Sequence, residues 1–198
     1  MAETGIPPHF EIPVRQMPST PQPSAKPAVL AYGFRIFFLM GAVAAMLLVA
    51  AWIGIYAFGV SFHHHMPMAH WHGHEMLFGF AMAIIAGFLL TAPGNWTGRT
   101  MPRGFPLGCL AGLWLAGRFA GFFPGILPLW LYMMVDAAFI PVLAVAVYRA
   151  LRGVPQHRHN LVFPVILLAM TVANVTSHLM VRTSTGVSMG TEGMLYLV

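Results

Sequence analysis

Charge is what this chain has least of. Only 8% of its 198 residues are Asp, Glu, Lys or Arg, and 58% are hydrophobic. Soluble domains carry about 25% charged residues. Too little charge is present to cover a globular surface, so the expected solvent is lipid. Acids are scarcer than bases, five against ten, which leaves a formal charge of +5. A nucleic-acid-binding face gathers its basic residues into a patch. Here they are scattered along the chain, so no nucleic-acid partner is expected. Cysteine is nearly absent. Cys109 alone cannot form an internal disulfide, and without C-x-x-C-H any haem would be held non-covalently. Neither a nucleotide loop nor a nucleophile–base–orienter arrangement is visible, so hydrolase and kinase activities lack support.

A cleavable leader is missing as well. Residues 1–30 hold seven prolines and no apolar core. A secretory signal needs an apolar stretch behind a basic start. The segment reads as a disordered, proline-rich leader exposed to solvent. Residues 31–198 read as one transmembrane domain.

Long apolar runs are plentiful. Five fall at about 34–58, 75–92, 105–122, 127–148 and 161–180. Each is long enough, or nearly so, to cross a hydrocarbon core of about 30 Å as a helix. The runs are too long and continuous for barrel strands. The expected fold is therefore all-α, a polytopic bundle of about five spanning helices. Pro67, Pro93-Gly94, Pro124-Gly125 and Gly153 with Pro155 mark the breaks. Arg15, Lys26, Arg35, Arg99, Arg103, Arg149, Arg152 and Arg158 all fall on one side of such a bundle. The positive-inside rule assigns that side to the cytoplasm, with the N-terminus inside. The bacterial inner membrane is the expected location. The chain ends on Met-Leu-Tyr-Leu-Val, which reads as the start of another apolar run in a longer protein.

Histidine is concentrated in the loop expected to face outward. "HHHMPMAHWHGHEMLFGF", residues 63–80, holds six of the ten histidines. Imidazole suits Zn, Cu and haem iron, and thioether favours Cu(I). His63, His64 and His65 carry no specified geometry and read equally as a polar loop. His70, His72 and His74 lead into the second helix, which makes them candidate metal or haem ligands. Glu75 is expected at that helix start. It could cap the helix through the macrodipole or orient a ligating imidazole. His178 lies 17 residues into the fifth helix, roughly 25 Å from the cytoplasmic end, and so near the same leaflet as His74. It reads either as a ligand, with a haem held between His74 and His178, or as a buried polar residue bonded to Asn174 one turn below. Arg118 and Asp136 fall in the inner part of the hydrocarbon on adjacent antiparallel helices. An unpaired charge there is expensive, so an ion pair is expected. A proton path, or a haem-propionate contact by Arg118, is the alternative.

The run W-H-G-H-E-M-L-F-G-F resembles the NnrS family of bacterial membrane proteins. I-I-A-G-F-L-L-T-A, N-W-T-G-R, F-R-I-F-F-L, W-L-A-G-R-F, R-H-N-L-V-F and A-N-V-T-S-H-L fit as well. Together they span residues 34–180. Where the family commonly reads A-V-P-N-W-T-G, this chain has Ala92-Pro93-Gly94-Asn95-Trp96-Thr97-Gly98, a change confined to a turn. Family members have about twice as many helices, so this chain corresponds to their N-terminal half. The resemblance implies haem b and copper, and a role with nitric oxide or metal–nitrosyl species under nitrosative stress. It places His72, His74 and Glu75 on the family's histidine motif and His178 on its later histidine. Two other classes stay open: a copper-handling protein that uses the His/Met loop for transport or delivery, and an assembly factor for a respiratory complex.

Overall fold

The computed structural model describes residues 28–60, 66–123 and 127–188, with side chains through Met180. His63–His65, the Pro124-Gly125 break, the chain end and the expected leader as far as residue 27 lie outside these. Ala28–Leu30, the last residues assigned to that leader, form a 3₁₀ turn. Gly104 donates its N–H to the Leu30 carbonyl at 2.9 Å, which ties the turn to the bundle.

The helices follow in chain order: α1 (Gly33–Phe58), α2 (Met68–His74), α3 (Met82–Leu89), α4 (Ala92–Thr97), α5 (Phe105–Phe122), α6 (Leu129–Leu151) and α7 (Val162–Ser188). Among the described residues, five helices are long and apolar enough to cross a membrane. The second of these runs over Met68–Thr97 and takes in α2, α3, α4 and a π-helical stretch, Glu75–Ala81. A 3₁₀ turn, Pro155–Leu161, leads into α7.

Two boundaries differ from those expected. The second span starts at Met68, not at residue 75, so His70, His72 and His74 belong to the helix. Pro67 is its N-cap, and the fixed proline φ suits the residue before a helix. Hydropathy misplaced this start because histidine scores as polar, although its backbone closes helical bonds like any other. Glu75 consequently sits inside the span and is 1% exposed, so it does not cap a helix start. At the other end, Pro93 does not close the span. It lies in the first turn of α4, where a missing N–H costs no hydrogen bond.

α1 packs chiefly on α3, α5 on α6, and α6 on α7. Gly87 permits the first of these contacts. A Cβ there would lie 2.6 Å from the Phe38 ring, so only hydrogen fits. The core is built from Phe37, Met82, Ala86, Leu107, Leu143, Val147 and Leu167. α1 and α7 bury the smallest share of their length. Leu39, Met46, Leu47, Val165 and Val172 on these two helices point outward. Such faces have no stable place in water and suit contact with lipid chains.

A buried His–Asp–His cluster as candidate metal centre

Six polar or charged residues are buried among the described residues: His74, Glu75, Arg118, Asp136, Asn174 and His178. All six meet in one place, supplied by four of the five spans. Asp136 lies about two turns into α6, and Arg118 about one turn from the end of α5. Both therefore lie toward the end of the bundle that carries His74.

The helices bring these groups together through specific close approaches. Asn174 and His178 are four residues apart on α7 and share a face. Gly117 on α5 lies against Asp136, where a Cβ would stand 3.0 Å from Oδ1 and 3.1 Å from Cα. Any larger residue would push α5 away from α6. Gly79, in the π-helical stretch, lies against Arg118 in the same way, 3.0 Å from Nη1. A π-helical turn spoils the regular i→i+4 ladder. The Gly79 carbonyl accepts the Trp114 indole N–H at 3.2 Å besides the Met82 N–H.

Asp136 is the hub. One carboxylate oxygen, Oδ1, pairs with the Arg118 guanidinium. The other, Oδ2, accepts from His178 Nε2 at 2.9 Å and lies 3.4 Å from His74 Nε2. The expected Arg118–Asp136 ion pair is thus present, but Arg118 also serves a second acid, with its Nε 3.4 Å from Glu75 Oε2. Glu75 Oε1 in turn stands 3.6 Å from His74 Nδ1. Asn174 is not the partner of His178 that the second of the two readings named. Its Oδ1 accepts from His74 Nε2 at 3.0 Å, across to another helix. The shared face was read correctly, but that face looks at α2. The Tyr132 ring stands edge-on to His178 at 5.1 Å.

The three motif histidines separate. His74 alone enters the cluster. His70, one turn earlier on the same face, is exposed. His72 turns toward α1 and stacks on Trp52 at 4.1 Å.

One oxygen of Asp136 and one nitrogen each of His74 and His178 lie within 4.8 Å of one another. Donors about 2 Å from a common ion are at most about 4 Å apart, so the widest pair must close by under about 1 Å for the set to hold a single transition-metal ion. Two imidazoles with one carboxylate suit Zn, Cu or non-haem Fe(II). Glu75 beyond His74 Nδ1 has the position of a carboxylate that orients a ligating imidazole. Charge supports a cation too. Glu75 and Asp136 oppose one guanidinium, so one negative charge is left over with the imidazoles neutral. A porphyrin between the two histidines fits less well. Their ring centroids are 4.8 Å apart, and the Asp136 carboxylate stands where the macrocycle would pass.

A protein-family model described as NnrS protein matches residues 28–198. The chain belongs to the NnrS family. No curated protein and no solved structure matches it. The match covers every residue of the cluster, so this is a multi-pass membrane protein of the NnrS type with a metal-donor group buried among its helices.

Proposed function

We propose that this NnrS-family chain binds copper at His74, Asp136 and His178, and that it serves the cell's response to nitric oxide. The convergence of these donors on one point, with one negative charge in excess, carries the reading. Copper, when bound, supplies a site that can take nitric oxide, a gas that partitions into lipid. The chain's own residues hold and tune that place. In the metal-free form His178 and His74 direct Nε2 protons at Asp136 and Asn174. To hold a metal through Nε2, each imidazole would give up that proton. Arg118 anchors the oxygen of Asp136 that does not face the histidines. Haem b is implied by the family resemblance. In our reading it takes a ligand other than the facing pair His74 and His178.

The deciding experiment combines metal analysis with a reduced-minus-oxidised absorbance spectrum of the purified protein. About one copper per chain is expected, retained after mild chelation. Zinc alone, or no metal at all, would remove the proposal. A Soret band that sharpens on reduction would add haem. Copper without any Soret band favours the copper-handling reading, which the exposed His70 one turn outside His74 also suits.

The orientation belongs to this proposal. The histidine end is taken to face outward and the arginine end inward, in the bacterial inner membrane. In a Cys109→Ser background, Ser61→Cys should react with a membrane-impermeant maleimide from outside the cell. Thr100→Cys should react only after permeabilisation. Labelling of both from one side would overturn the orientation.

A further inference from the structure

The end of the bundle opposite the metal-donor cluster holds a cavity of about 150 Å³ between the start of α1, α4 and the loop that leads from α4 to α5. Its lining includes Tyr32, Thr91, Asn95, Arg99, Thr100 and Arg103. We propose that this cavity binds a phosphate group, supplied by an anionic phospholipid headgroup or by free phosphate.

Charge is the first reason. The guanidinium carbons of Arg103 and Arg35 stand 5.0 and 5.3 Å from the same Tyr32 ring. Arg99 and Arg103 line the cavity itself. Arg35 stands beside it on the Tyr32 ring, where it also donates to the Ala28 carbonyl at 3.0 Å, so two arginines line one small space and a third lies close by. The only carboxylates among the described residues are Glu75 and Asp136, and both are buried in the cluster at the other end of the second span. Nothing acidic among the described residues offsets the three arginines. Guanidinium groups repel one another unless an anion sits among them, and phosphate matches their planar donor geometry.

Chemistry and placement agree. Asn95 and Thr100 add donors beside the arginines. Thr91 Oγ1 already accepts from the Phe34 N–H at 3.2 Å and holds the start of α1 against this wall. Gly98, with a φ of 68°, turns the chain sharply so that Arg99 follows α4 directly on the rim. Phe34, Phe38 and Phe105 lie exposed next to the cavity, Phe105 at 83%. An exposed apolar fringe beside a basic pocket is the pattern that receives acyl chains and an anionic headgroup together.

The test is native mass spectrometry of the full chain, released from micelles with phosphatidylglycerol or phosphatidylcholine at equal concentration. Phosphatidylglycerol should be retained at least about 10-fold better. Arg99→Gln with Arg103→Gln should bring that ratio close to one, while Arg158→Gln, on the turn before α7, should leave it unchanged. Arg99 also donates to the Arg149 carbonyl at 3.1 Å. If the double variant does not fold, Arg103→Gln alone carries the comparison. Inorganic phosphate is the second arm. A phosphate-induced rise in melting temperature that needs Arg103, without any lipid preference, assigns the site to the free ion. Equal retention of both lipids together with no phosphate effect overturns the proposal. So does a loss of preference in Arg158→Gln as large as in the double variant, since that would report the overall charge alone.

Discussion

Replacing His178 with Ala is expected to lower copper affinity by at least about 100-fold. Loss of a group that merely orients a ligand already costs 10–100-fold, and removing a donor costs more. Asp136→Asn should act in the same direction, since an amide oxygen carries no charge and one of its faces becomes a donor. His72→Ala should change little, because that ring stacks on Trp52 away from the cluster. Replacing His63, His64 and His65 together should also leave tight binding intact. Competition with a chromophoric chelator measures each affinity. Wild-type binding in His178→Ala, or a loss in the His63–His65 variant equal to that in His178→Ala, would move the site elsewhere.

The second large effect concerns Arg118. This side chain pairs with Asp136 and also faces Glu75. Arg118→Met leaves two buried carboxylates without their cation. Breaking a buried pair from one side costs about 3–5 kcal/mol, and Arg118→Met should lie in or above that range. Asp136→Asn should be milder, because Glu75 keeps the guanidinium partnered. The double variant Arg118→Met, Asp136→Asn should recover part of the loss. Reversible unfolding in detergent, carried out as a double-mutant cycle on metal-free protein, reads these values. Additive single costs would show that the two residues do not interact.

How much of this was legible beforehand depended on the type of signal. Five apolar runs announced five spans, because the bilayer sets a length that the sequence must meet. The start of the second span was not legible from hydropathy, since His70, His72 and His74 interrupt the run while remaining helical. Pro67 was the better marker, and it was in plain view. The choice of His74 over its neighbours was hidden for a different reason. Residues two apart on a helix face different ways, and only the placement of α1 and α7 decides which face is the site. Asn174 shows the same limit, since sharing a face with His178 did not reveal that the face looks at α2. Asp136 was read as a partner for Arg118 and not as a donor.

The π-helical stretch has a consequence for how the second span is divided. Each α-helical residue advances the helix by about 100°. A stretch wound to the wider i→i+5 pattern carries, in effect, one residue more than an α-helix of the same height. His74 lies just before this stretch and α3 just after it. The angular position of His74 is therefore offset from that of the α3 face packed on α1. The extra residue works as a phase shifter between the part of the span that builds the wall and the part that holds the metal-donor nitrogen.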